Sequence, residues 1–435
     1  MDNSGKLLGA QINREWFLYQ EKEVFAEYRQ KRLTIGLPNE TERRENRVCL
    51  TPEAVAMMVD MGHTIMVQRG AGEAAHYHDR EYADAGAQML DTCEEVYTAD
   101  IILKPTPVMQ ADVEMMHDRQ VIMSPIELFE LRKEAVVEMM QKKITAVGFD
   151  ILKDENETYP VVQMMSEISG SSAIMIASEY LSNSREGKGI LLGGVTGITP
   201  AEVVILGAGT LGEYAARTAL ALGAEVKVFD HSLERLRRIN HCLGRRVYTS
   251  VFHKPVLERA LLSADVLIGA LRFFDDDLGI TVSEEQVRLM KQGAVIVDMS
   301  IEHGGCIETS GPTTHENPTY VYNGVIHYCV PNVPSRVART ASIAYSNLFT
   351  PLFDKISRAG GFNAAIKNDK GLLPLNLSEL NSIAVIGPNA DQVQFGDYTW
   401  SRTNKDGVTP LEGIRKLTEP FGIQIRYAQG CSMMS

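Results

Sequence analysis

Short apolar runs alternate with helical patterns along most of this chain. "LTIGLP" (33–38) reads as a strand, and the helix behind it is well marked. Thr51 suits an N-cap, Pro52 the first helical position, and Gly62 the stop. Further strands are predicted at 63–68, 99–104, 120–125 and 144–150, so crossover helices and a parallel sheet are expected. A second unit opens with a helical run at 166–182. Its strands, "AEVVIL", "AEVKVFD" (224–230), "ADVLIGAL" (264–271) and "GAVIVDMS" (293–300), are near-continuous apolar runs. Such runs fit strands buried on both faces. A helix after "HYCVPNVPSRVARTAS" is expected to recross to the first unit. Residues 1–32 read as a polar extension, helical around 14–31. From about Gly360 the chain turns rich in Asn, Asp and Gly and holds one clear strand, "IAVIG".

Composition narrows the function. A chain of 435 residues calls for two or three domains. A net charge of −13 makes nucleic acid or an anionic membrane a poor partner. No apolar run is long enough to span a bilayer, and no signal-peptide core opens the chain. Six scattered cysteines without a CxxC pair fit reduced thiols in a cytoplasm and give no metal site.

One turn carries specific chemistry. "VVILGAGTLG" places Gly207, Gly209 and Gly212 in GxGxxG spacing between a strand and a helix. The first glycine permits a tight turn, the second a close backbone approach to a pyrophosphate, and the third close helix packing. The helix N-terminus offers N–H groups and a positive dipole end. The next strand ends at Asp230, about twenty residues on, where a carboxylate would hold a ribose 2′-hydroxyl. Asp230 favours NAD over NADP; Arg235, Arg237 and Arg238 just beyond weaken that preference. "IAVIGPNAD" has one glycine, and Pro388 removes an N–H that a phosphate would need, so it is not a second such site.

"RVCLTPEAV", "GAGTLGEYAARTALALGAEVKVFD", "GGCIETSGPTTHENPTYV" and "HYCVPNVPSRVARTAS" together resemble the alanine dehydrogenases, relatives of the soluble NAD-binding part of proton-translocating transhydrogenases. The resemblance covers about 33–368. It implies two Rossmann-like parallel-sheet α/β domains with a cleft between them, the cofactor NAD, a small amino acid or keto acid as substrate, and a homo-oligomer, in that family a hexamer. The implied reaction is reversible conversion of L-alanine, NAD and water to pyruvate, ammonium and NADH. The implied domains are a substrate domain at 33–160 with 338–366, and an NAD-binding domain at 161–337.

The resemblance also assigns residues. Arg47 matches the arginine that binds the substrate carboxylate, a bidentate task for a guanidinium fork. A surface salt bridge is the competing reading. Ser166, Gly207, Gly209, Gly212, Asp230 and Arg235 match cofactor contacts, and Asn332 a residue at the nicotinamide end. Glu302 stands where the family has aspartate and would be the acid/base; a carboxylate capping the glycine turn competes. Two positions depart from the family. In "LKPTPV" Lys104 remains, but Thr106 replaces the lysine that polarises the keto group. Glu127 replaces the catalytic histidine. Lys104, two residues from the lost lysine, is expected on the same face and within reach of substrate. A catalytically silent NAD-binding protein and a transhydrogenase subunit are the alternatives.

The segment 367–431 resembles the start of the C-terminal domain of family-three β-glucosidases. A retaining hydrolase needs two carboxyl groups roughly 5 Å apart, and this fragment supplies neither at a matching position. An incomplete α/β fragment at 367–435, a passenger without glycosidase activity, is therefore expected. The two resemblances overlap at "KNDKGL", as in a fusion.

Overall fold

The computed structural model describes residues 31–40, 44–126, 132–154, 156–185, 187–271, 279–362, 382–386, 409–421 and 423–428. The extension at 1–30, Glu127 and most of the tail lie outside them. Two parallel-type sheets dominate. The first holds β1 (Thr34–Leu37), β2 (Thr64–Gln68), β3 (Gln88–Leu90), β4 (Ile101–Leu103), β5 (Val121–Ser124) and β6 (Thr145–Gly148). Its order is β3-β2-β1-β4-β5-β6 and every pairing is parallel. The second holds β7 (Glu202–Leu206), β8 (Glu225–Phe229), β9 (Tyr248–Ser250), β10 (Val266–Gly269), β11 (Val295–Asp298), β12 (Thr319–Tyr322) and β13 (Val325–Tyr328). Its order is β12-β13-β11-β10-β7-β8-β9, parallel except for the β12–β13 pair.

The apolar runs behave as their composition requires. Val203, Val204, Ile205 and Leu206 are fully buried, as are Val266, Leu267 and Ile268 beside them. The β12–β13 hairpin is missing from the sequence reading. Its signal is "YNGV": Asn323 and Gly324 both take left-handed conformations, φ 49° and 74°. That is the two-residue turn that matches strand twist. Helix α1 (Pro52–Asp60) starts as expected, with the Ala54 N–H donating to Thr51 and Pro52 at its first turn.

Two long helices join the sheets. Helix α2 (Pro160–Tyr180) begins earlier than the apolar pattern suggests. Val161 near its start belongs to the first core, while Ala173, Ile174, Ile176 and Ala177 belong to the second. It packs on helix α3 (Thr210–Ala221). A Cβ on Gly170 would lie 2.3 Å from the Leu211 carbonyl oxygen, so only glycine permits that approach. Helix α4 (Ala338–Arg358) puts Tyr345, Phe349, Phe353 and Ile356 into the first core, as the expected recrossing requires. In the tail, β14 (Ser382–Ile386) pairs in parallel with β15 (Gln424–Ala428), and helix α5 (Pro410–Thr418) lies between them in sequence.

Candidate active site

Among the parallel strands of each sheet the order reverses at one place: between β1 and β4 in the first, between β7 and β10 in the second. Crevices form outside the carboxyl ends of strands at such points. The loops after β1 and β4 carry Glu40, Glu45, Arg47, Lys104 and Thr106. Those after β7, β8, β11 and β13 carry the glycine turn, Asp230, Glu302 and Asn332.

The glycine turn is built from backbone. Gly207 has φ 111°, and a Cβ there would sit 2.4 Å from the Ala270 carbonyl oxygen at the end of β10. A Cβ on Gly212 would sit 1.9 Å from the Gly207 carbonyl oxygen. Gly209 differs: a Cβ there meets nothing within 4 Å. A side chain there would point into open space. Gly209 is also the N-cap of α3 and caps it with no side chain, which leaves the first N–H groups to an anion. These features fit a dinucleotide pyrophosphate. Asp230 is buried, and its two oxygens accept the Ala208 and Ser232 N–H groups, both at 2.7 Å. That ties the carboxylate to the turn and leaves lone pairs for a hydroxyl donor. Arg235 stands 4.0 Å from Asp230 with its side chain half exposed, and Arg238 donates to the Ala208 carbonyl. Ser166 lies within α2 rather than at its start, so it is not a helix cap.

Arg47, Asn332 and Glu302 come together across the two sheets. Arg47 grips Glu45 through Nε (2.9 Å) and Nη2 (2.6 Å), and its Nη1 lies 3.5 Å from the Met165 sulfur. The guanidinium lies over the Tyr345 ring, 5.3 Å from its centre. This is a buried pair, not a surface salt bridge: Arg47 is 9% exposed and Glu45 3%. Burial raises the Glu45 pKa, but the charge and hydrogen bonds of Arg47 outweigh it and hold the carboxyl below its ordinary value. Glu45 also accepts from the Asn332 side-chain amide at 2.8 Å. Asn332, left-handed at φ 53°, donates its backbone N–H to the exposed Glu302. His315 sits nearby. Its Nε2 is buried with no hydrogen-bond partner, and burial lowers its pKa. Glu45 and His315 are absent from the sequence reading. Proximity in "RENRV" and a histidine in "TTHENP" are the only local signals.

Lys104 requires a correction. The chain leaves the short β4 before reaching it, so strand alternation no longer aims the side chain. Its ammonium is fully buried, 2.6 Å from Asp112 and 3.5 Å from Glu40. Asp112 also accepts from Tyr97 (2.8 Å) and from the Met109 N–H (2.7 Å). Thr106 donates its hydroxyl to Glu40. Held in this way, the ammonium is paired within the loop and has no surface open to the cleft. Among the described residues no cluster of His, Cys, Asp and Glu has the makings of a metal site.

The profile described as "Alanine dehydrogenase/PNT, N-terminal domain" matches residues 36–169, and that described as "Alanine dehydrogenase/PNT, C-terminal domain" matches 173–379. The chain belongs to the alanine dehydrogenase/PNT family. It is 38% identical to an alanine dehydrogenase of Methanococcus maripaludis, over 79% of this chain and 93% of that enzyme. It is 34% identical to the Bacillus subtilis alanine dehydrogenase, over 77% and 89%. A solved L-alanine dehydrogenase shares 35% identity at a TM-score of 0.71, covering 75% of this chain and 91% of that one. A transhydrogenase from Sinorhizobium meliloti, 22% identical with a TM-score of 0.66, shares the fold. The "Glycosyl hydrolase family 3 C-terminal domain" profile matches 366–427 weakly and overlaps the second family match at 366–379.

Proposed function

We propose that this protein is an NAD-dependent dehydrogenase that oxidatively deaminates L-alanine, or a similarly small amino acid, reversibly. The observation that carries this reading is the meeting of Arg47, Asn332 and Glu302 across the cleft. Gly207, Gly209, Gly212, Asp230 and Arg235, with Ser166, would hold NAD, which when bound would supply the hydride acceptor. The first sheet with 338–366 would serve as the substrate domain, and 161–337 as the cofactor domain.

Arg47 offers its Nη1 edge to the substrate carboxylate, because Glu45 occupies the Nε and Nη2 edge. A thioether is a weak acceptor, so a carboxylate readily displaces Met165 from Nη1. Glu302, the exposed carboxylate at the rim, takes the proton released as the amine becomes an imine and water adds. The test is NADH production from L-alanine and other small amino acids at alkaline pH. Absence of turnover with all of them overturns the proposal.

Burial of Lys104, with threonine at 106, favours one second reading: an NAD-binding protein without turnover. It predicts a rise in melting temperature with NAD but no activity. Steady activity of the unaltered protein disposes of it.

A further inference from the structure

Glu45 has no role in the reaction just described, yet it links the two halves of the cleft, beside Asn46, which bonds to Ser335. It follows β1 in the first sheet, while Asn332 follows β13 in the second. One carboxylate oxygen accepts the Arg47 Nε proton and the Arg47 backbone N–H, both at 2.9 Å. The other accepts from Arg47 Nη2 at 2.6 Å and from the Asn332 amide at 2.8 Å. The bidentate geometry fixes the plane of the guanidinium as well as its distance. The Asn332 end is fixed too, because its backbone N–H is held by Glu302.

We infer that Glu45 is a positioning residue: a rigid strut that sets the distance between the Arg47 carboxylate-binding edge and Asn332 at the nicotinamide end. This inference rests on the roles given to Arg47 and Asn332 under the proposed function. Two observations separate it from simple competition for Arg47. Removing one partner of a buried ion pair strands the other charge, so a substrate carboxylate does not expel Glu45. The Nη1 edge, whose hydrogen-bond partner among the described residues is the Met165 sulfur, is where a ligand enters without that penalty. The strut thus spends both carboxylate oxygens on alignment and leaves one guanidinium edge for substrate. Hydride transfer depends steeply on such spacing, since a displacement of about 1 Å is enough to cost on the order of a hundredfold in rate.

Glu45→Gln tests this. The amide keeps the shape but turns one acceptor into a donor that opposes Arg47 or Asn332. In alanine oxidation kcat should fall at least about tenfold, while KM for alanine changes less than about threefold. The NAD-induced rise in melting temperature should not change, because the glycine turn is untouched. Glu45→Asp, which keeps the charge, should recover part of kcat. Asn332→Ala should lower kcat similarly, and the double variant Glu45→Gln/Asn332→Ala should lose little more than either alone. A Glu45→Gln enzyme with kcat within about twofold of the unaltered protein overturns the strut. So does a parallel loss of kcat, NAD response and melting temperature that Glu45→Asp does not relieve. If the unaltered protein oxidises no small amino acid, the proposed function fails separately. The strut is then read from pyruvate quenching of bound NADH fluorescence. Glu45→Gln should shrink the quench at saturation with little change in Kd, and an equal quench overturns the inference.

Discussion

The two sheets share a plan and fill it in opposite ways. Each reverses the order of its parallel strands once, and each places its loops around the resulting crevice. In the second sheet the crevice is lined by bare backbone, with Gly207 and Gly212 packed to their limit and Gly209 open. In the first it is packed with charge: Lys104, Asp112 and Glu40 are all buried, and Thr106 closes onto Glu40. Backbone suits a ligand whose phosphates want N–H donors. A buried charge cluster instead holds loops in place, because each member is costly without its partners. The cleft takes its cofactor-binding form from one sheet and its rigid wall from the other.

The contrast breaks most visibly at Lys104. Lys104→Met strands two buried carboxylates and should lower folding stability by about 3–5 kcal/mol, read from the urea midpoint. Unchanged stability would mean that charge does not hold the first crevice. The next effect lies in the second sheet. Gly212→Ala forces a Cβ against the Gly207 carbonyl and should cost about 1–3 kcal/mol, along with the NAD-induced melting shift. Gly209→Ala sharpens the comparison. It should leave unfolding within about 0.5 kcal/mol of the parent and still shrink the NAD response; a full response would show that no ligand uses that space.

A weaker effect concerns acid. Burial lowers the pKa values of His63, His315 and His327 in the fold. As pH falls through the unfolded value of about 6.5, the unfolded chain takes up protons first. Stability is therefore full above that value and declines as pH drops toward the lower folded values. Melting temperatures at pH 7.5 and 6.0 check the sign, and a rise on acidification would contradict it. The smallest effect is expected at the tail. Leu411, Ile414 and Ile425 form a cluster separate from the cores of the two large sheets. Deleting 373–435 should shift the main melting transition by no more than about 2 °C, on the order of the shift expected for 1 kcal/mol or less. A large drop would make the tail integral.

Much of the fold is legible in the chain. The long apolar runs became central strands, and the recrossing helix packs where the pattern requires. The edge strands β3 and β9 escaped because each is three residues long and half exposed, leaving no apolar run. The β12–β13 hairpin was readable in its Asn-Gly turn.

What the chain by itself determined is local. Glycine spacing shaped the turn after β7, proline and threonine started α1, and periodicity set the strand faces. These depend on neighbours a few residues apart, where sequence order equals spatial order. Tertiary structure alone decided which charges meet. Glu45 finds Asn332 across 287 positions of chain, and Lys104 turns inward to Asp112 and Glu40. Periodicity says which face is buried, but a charge's partner depends on how separate loops converge. That convergence paired Arg47 with Glu45 and Lys104 with Asp112.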